Sequence, residues 1–232
     1  MALIAGNWKM FKGPRETAEF CLALRDADLG DADVVVCPPY VSLATAVQIL
    51  AGTEIAVAAQ NVHWDDEGAY TGEVSVSMLR ELGVYGTIVG HSERRQLFGE
   101  TDESTARRAE AALAAGLEVI ACVGETEEER ERGETEDVLR QQVSLLPDDD
   151  GLVVAYEPVW AIGTGKTATP EIAQKAHAFV KSLLDRPVLY GGSVKPDNAG
   201  ELLSQPDVDG ALVGGASLDV GSFTAICRST AS

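Results

Sequence analysis

Paired cysteines, long apolar runs and positive charge are what this sequence is short of. Its four cysteines, Cys21, Cys37, Cys122 and Cys227, are scattered with no CxxC pair, so neither a zinc site nor a disulfide framework is indicated and a reducing setting fits. No apolar run approaches the roughly 20 residues of a membrane span. The opening MALIAGNWKM also lacks the long apolar core and cleavage pattern of a secretory leader. The expectation is therefore a soluble, cytoplasmic protein. Lys and Arg number 18 against 37 Asp and Glu, a formal net charge of -19. That argues against nucleic acid or an anionic membrane as a main partner, because both need a basic footprint. Linkers, low-complexity segments and a second composition regime are missing too, so residues 1–232 read as one domain.

What is present is a regular alternation. Short apolar, β-branched runs occur at Leu3 to Gly6, Val34 to Cys37, Ile55 to Ala59, Gly86 to Gly90, Glu118 to Val123, Leu152 to Tyr156, Pro187 to Gly191 and Gly210 to Val213. Amphipathic stretches such as Arg15 to Asp26, Asp102 to Ala115, Glu136 to Leu146 and Glu171 to Leu184 lie between them, with apolar positions at helical spacing. Strand and helix in strict alternation imply a parallel sheet of an α/β protein, and eight units imply closure into a (β/α)8 barrel. A doubly wound open sheet is the other architecture such alternation permits, but no GxGxxG follows the first strand.

The chain is organised around Tyr156 to Thr167, YEPVWAIGTGKT. Glu157 ends a buried-strand run, and Pro158 stops the strand. Val159 to Ile162 is apolar but too irregular for a helix face, and Gly163 and Gly165 permit turns that other residues resist. An exposed Trp160 and Ile162 on glycine joints reads as a lid. The end of a nucleotide P-loop is the competing reading of Gly165, Lys166 and Thr167, but the glycine that motif requires five positions earlier is Trp160. The acidic run Glu127 to Asp137 reads as a solvated helix face. The connection Gln60 to Val74, QNVHWDDEGAYTGEV, is long enough to be functional or to contact a partner. His63 reads as a hydrogen-bonding loop residue, and His177 as a structural one within a helix.

Polar residues fall where strands finish: Asn7 and Lys9 after the first, His91 after the fourth, Glu157 after the sixth. Active sites of barrels sit at that face. Glycine turns at Gly191, Gly192, Ser193 and at Gly214, Gly215 follow the seventh and eighth strands, where barrels commonly bind phosphate through backbone N–H groups. Singly, Asn7 could be a turn former, Lys9 a surface cation and His91 a helix cap; together they suggest an acid/base pole facing an anion pole.

At these residues the sequence resembles the triosephosphate isomerase family. The matching segments are GNWKM at Gly6 to Met10, TGEVS at Thr71 to Ser75, VGHSERR at Val89 to Arg95, YEPVWAIGTGK at Tyr156 to Lys166, YGGSVKP at Tyr190 to Pro196 and LVGGASL at Leu212 to Leu218. They run in order along nearly the whole chain. The resemblance implies a TIM barrel that interconverts dihydroxyacetone phosphate and D-glyceraldehyde 3-phosphate by proton transfer through an enediol or enediolate, a reaction of glycolysis and gluconeogenesis. No metal or organic cofactor is expected, since a proton moves between adjacent carbons without net redox.

By the same resemblance Glu157 is the base, with a pKa expected to be raised by desolvation. His91 matches the family's electrophile, a neutral imidazole at a helix N-terminus. Lys9 offsets oxyanion charge, with Asn7 as a nearby polar contact. Gly163, Ser193, Gly214 and Gly215 would hold the phosphate by backbone N–H groups. Ile162 and Leu212 would cover the base, Ser92 would partner it in the open state, and Tyr190 would latch the lid at the backbone of Ala168. Glu93 matches a supporting carboxylate and Cys122 a buried strand-end residue. The 60 to 74 loop resembles one that enters a neighbouring subunit, Thr71 approaching Asn7 and Lys9 there, so a homo-oligomer, foremost a homodimer, is implied. Leu145 to Gly151 and Lys181 to Pro187 look shorter than usual in the family, which bears on packing and stability. The alternatives left open are another phosphate-binding barrel lyase or isomerase, and a catalytically dead phosphate-binding barrel.

Overall fold

A computed structural model describes residues 1–162 and 167–230. Eight strands, β1 (Leu3–Asn7), β2 (Asp33–Cys37), β3 (Ala56–Ala59), β4 (Gly86–Val89), β5 (Glu118–Val123), β6 (Leu152–Tyr156), β7 (Val188–Tyr190) and β8 (Gly210–Val213), form one closed barrel in sequence order. All neighbours are parallel, and Leu3 opposite Gly210 closes the ring. The helices are α1 (Pro14–Arg25), α2 (Tyr40–Leu50), α3 (Val76–Leu82), α4 (Ser92–Phe98), α5 (Asp102–Ala114), α6 (Glu127–Glu131), α7 (Thr135–Ser144), α8 (Pro170–Leu183), α9 (Pro196–Leu203) and α10 (Val220–Arg228).

Period-two alternation sorts each strand into two cores. Ala5, Val35, Cys37, Ile88, Ile120, Cys122, Ala155, Leu189 and Leu212 point inward and pack together inside the barrel. Their neighbours, such as Ile4, Val36, Val89, Val119, Val154 and Val213, point outward and pack under the helices. This is why the strands read as continuous apolar runs: both faces are dry. Burying each large side chain on either face is worth roughly 1.5–3 kcal/mol.

Helix boundaries follow local chemistry. Pro14 and Pro170 occupy the first positions of α1 and α8, where a missing N–H costs nothing. Thr101 and Ser104 cap α5 reciprocally, each backbone N–H donating to the other's hydroxyl at 2.9 and 3.2 Å. The acidic run splits into α6, whose residues are all at least partly solvated, and the start of α7.

The two short connections expected from the resemblance meet in space. Arg186, just before β7, reaches Asp148 at 2.7 Å and Asp150 at 3.0 Å in the link between α7 and β6. His177 is fully buried in α8 with Nδ1 3.3 Å from the carbonyl of Asp207. Its ring packs near Tyr156 and Tyr190, with centroids 5.9 and 6.2 Å away. Burial pushes its pKa down to about 4. Among the described residues no helix is long and apolar enough to cross a membrane.

Candidate active site

The alternation that builds the cores also aims the polar strand ends. On leaving β1, Asn7 points into the barrel mouth. Trp8 turns outward, fully buried against Phe20 with ring centroids 4.8 Å apart, and Lys9 returns to the mouth. Lys9 adopts φ 51°, a left-handed conformation that costs a side-chain-bearing residue roughly 1–2 kcal/mol. Two side chains hold it there. Asn7 Oδ1 accepts the Lys9 N–H at 3.0 Å, and Gln60 Nε2 donates to the carbonyls of Lys9 and Cys37, both at 2.8 Å. The ammonium then meets Glu93 Oε1 at 2.6 Å.

His91 caps α4. Its Nδ1 accepts the backbone N–H of Glu93 at 3.2 Å, and Nε2 lies 2.9 Å from Glu157 Oε1. Burial works against the imidazolium, while the carboxylate of Glu157 works for it and prevails, so the pKa is raised. The cap points the other way: an Nδ1 that accepts a hydrogen bond carries no proton, which defines the neutral tautomer with its proton on Nε2. We take the tautomer from the cap, because protonating Nδ1 would break it.

Glu157 continues β6's alternation: Ala155 faces in, Tyr156 out, and Glu157 in, only 1% exposed. Its Oε2 accepts the N–H of Ser92 at 2.8 Å, so the Ser92 partner expected from sequence is a main-chain atom. Burial alone would raise this carboxyl's pKa. Against burial stand a positive charge on His91, the donors from His91 and Ser92, and Lys9, which together hold the pKa below the ordinary glutamate range; the His91 charge belongs to its protonated form, so with His91 neutral the two donors and Lys9 are what oppose burial. The direction with His91 charged is downward, against the raised pKa expected from desolvation. Cys122, buried beneath, is pushed well up by burial and by Glu157, which leaves it an inert thiol.

These residues open on a cleft of about 510 Å³ whose lining also includes Gly191 to Ser193, Gly214 and Gly215. Among the described residues, no acceptor takes the backbone N–H of Ser193, Gly214 or Gly215. Three free donors in one cleft can receive an anion. Gly191 also sets the position of the base: a Cβ there would lie 2.8 Å from Glu157 Cγ and 3.0 Å from the Tyr156 carbonyl oxygen. Ile162, half-buried, and Leu212, buried, line the same cleft. Gly163 lies outside the described residues. Tyr190 is buried, which pushes its pKa up to about 12; the backbone of Ala168 lies close enough to its hydroxyl to draw that pKa down, though not in the geometry of a full hydrogen bond.

The expected exposure of Trp160 is corrected. Val159–Ala161 forms one 3-10 turn in which Trp160 is half-buried, because its Nε1 donates to Glu125 Oε1 at 3.0 Å and Arg130 lies over its ring at 4.4 Å. Glu125, fully buried, also accepts the Tyr156 hydroxyl at 3.1 and 3.2 Å. Sequence reading missed Glu125 and Gln60. Neither belongs to a matched segment, and these hydrogen-bond partners lie at sequence separations of 23 to 51 residues.

In the 60 to 74 loop His63 packs between Trp64 and Tyr70, with ring centroids 4.4 and 4.3 Å away, and Nε2 lies 3.3 Å from Asp65 Oδ2. Arg108 Nε donates to the Val62 carbonyl at 2.9 Å, which ties the loop to α5. Tyr70 remains exposed, as do Met10, Phe11, Leu97 and Phe98.

Fold and cleft together place the chain among the (β/α)8 barrels that carry a polar site at the C-terminal ends of the strands. Comparison narrows this. The sequence model of the family described as triosephosphate isomerase matches residues 2–230. A protein of Carboxydothermus hydrogenoformans named triosephosphate isomerase is 51% identical over 243 aligned residues, covering 97% of both chains. Proteins of that name from Herpetosiphon aurantiacus and Solibacter usitatus are 51% and 50% identical, each over 97% of this chain and 98% and 97% of their own. The chain belongs to the triosephosphate isomerase family.

Proposed function

We propose that the chain interconverts dihydroxyacetone phosphate and D-glyceraldehyde 3-phosphate, with Glu157, His91, Lys9 and Asn7 as its catalytic group. The observation that carries this reading is that carboxylate, imidazole and ammonium, drawn from three separate strand ends, line one cleft together with backbone donors that have no acceptor among the described residues. The phosphate is assigned to the N–H groups of Ser193, Gly214 and Gly215, and to Gly163. The carbonyl then faces His91 and Lys9.

His91 Nε2 has one N–H to give, and Glu157 Oε1 accepts it as a hydrogen bond at 2.9 Å. A bound carbonyl oxygen must therefore displace Glu157 from His91. Displacement withdraws the strongest support of the carboxylate and leaves burial to raise its pKa, which makes it a stronger base at the moment it faces the carbon proton. The enediolate oxygen is met by the His91 N–H and the Lys9 charge. Glu157 then returns the proton to the neighbouring carbon. Ile162 and Leu212 keep water from the carboxylate, and Glu93 and Gln60 orient Lys9. No redox step occurs, so the chemistry calls for neither metal nor organic cofactor.

Two finer readings accompany this one. The chain assembles as a homo-oligomer, foremost a homodimer, through residues 60 to 74, and it works in the cytoplasm. The activity is tested by isomerisation of glyceraldehyde 3-phosphate coupled to reduction of the dihydroxyacetone phosphate formed. Phosphate binding without turnover would instead favour a catalytically dead barrel.

A further inference from the structure

The proposed substrate carries a phosphate close to a dianion, yet the chain that must capture it has a formal charge of -19. Of the cations lining the cleft, Lys9 is spent locally, paired with Glu93 at 2.6 Å. The other is Lys195. It is exposed, lines the same cleft, and forms no ion pair among the described residues. We propose that Lys195 is a specificity-determining cation at the cleft mouth, which draws the phosphate end of the substrate toward the Ser193 turn against the negative field of the rest of the chain. This rests on the activity proposed above.

The local structure fixes Lys195 to that turn. Asn198, in the first turn of α9, accepts the Lys195 backbone N–H at 2.8 Å and donates from Nδ2 to the Ser193 carbonyl at 3.0 Å. One side chain thus clamps the lysine's backbone to the turn assigned to the phosphate. Asp197 is the opposing charge nearby, also lining the cleft. It sits in the first turn of α9, where helix N–H groups offset a carboxylate. Lys195 has no such compensation among the described residues and is exposed where it lines the cleft. An exposed charge of this kind acts on encounter and weak binding rather than on bond making, and salt screens it.

The test compares the parent chain with Lys195→Met and Lys195→Arg. The kcat/KM for glyceraldehyde 3-phosphate is measured at ionic strengths of about 0.01 M and about 1 M, between which the Debye length falls from about 30 Å to about 3 Å. Lys195→Met should lower kcat/KM about two- to fivefold at low ionic strength, through KM with kcat held, and match the parent at high ionic strength. Lys195→Arg should stay within about 1.5-fold of the parent at both, because a unit charge is retained. With D-glyceraldehyde, which has no phosphate, both variants should equal the parent. Three results would overturn the proposal: parity of Lys195→Met at low ionic strength, a deficit that persists at about 1 M, or an equal deficit with D-glyceraldehyde. A parent chain that fails to isomerise the phosphate ester at either ionic strength would instead remove the activity on which the proposal rests.

Discussion

His91 Nε2 and Glu157 Oε1 stand 2.9 Å apart, so the proposed base and the proposed electrophile satisfy each other. Neither is left as an unpaired buried group, and each is released only by something that replaces the other. Shortening Glu157 to Asp keeps the charge and draws the carboxylate back by one methylene. A displacement of about 1 Å costs on the order of a hundredfold in rate. We expect kcat of Glu157→Asp to fall by about that factor while the affinity for a phosphate-bearing analogue changes little. A matching loss of affinity would reassign Glu157 to binding.

Lys9 meets its surroundings through its charge and its backbone, not through core packing. Lys9→Met should therefore lower kcat by on the order of 10²–10³, the scale of losing one oxyanion-stabilising group, with an unchanged circular dichroism spectrum. Near-normal turnover in a folded variant would remove Lys9 from the reaction.

Gly191 is a position where even the smallest side chain would press on the side chain of Glu157. The added Cβ of Gly191→Ala would press on Glu157 Cγ at 2.8 Å, and on main chain it cannot move at 3.0 Å. We expect a 10- to 100-fold fall in kcat and a modest loss of thermal stability. Full activity would mean that Glu157 has room to spare.

His177 gives a stability signature with a definite sign. Its folded-state pKa, about 4, lies below the ordinary 6.5, so the unfolded chain takes up a proton before the folded one does. Stability is complete above pH 6.5 and is lost as pH falls toward 4, at about 1.4 kcal/mol per pH unit and about 3 kcal/mol in all. Thermal melts of the parent and His177→Gln at pH 6.5 and 4.5, at one protein concentration, should show a smaller acid-induced drop in the variant. Equal drops would place the acid sensitivity elsewhere.

Tyr70 in the 60 to 74 loop, Met10 and Phe11 after β1, and Leu97 and Phe98 at the end of α4 are exposed apolar side chains. Light scattering should find an oligomer, at least a dimer, and dilution should abolish activity as it dissociates. A monodisperse, fully active monomer would refute this assembly.

The barrel was legible because its strands are dry on both faces and so appear as eight apolar runs, each matched to within two residues at either end. Asn7, Lys9, His91 and Glu157 were legible because polar residues at strand ends are out of place in such runs. What was hidden depends on distance or on the main chain. The Ser92 contact is an N–H that any residue but proline would supply, and Glu125 is one acid beside a stretch of many. Trp160 looked exposed because the carboxylate that draws it inward lies 35 residues away. The raised pKa expected of Glu157 counted burial and overlooked two donors that only the folded chain brings to it.

Tyr156 and Glu157 are consecutive, yet the first lies outside the barrel wall, bonded to Glu125 and beside His177, and the second lies inside it, bonded to His91. A single peptide unit links the helix layer to the reacting centre. A change of volume or charge around Tyr156, remote from the substrate by any path through solvent, reaches the base through one rigid amide plane. The outer layer at this point of the circumference is therefore not neutral ground for substitution. Variation there would be read out as rate, while comparable variation beneath strands that end without a functional side chain would be read out only as stability.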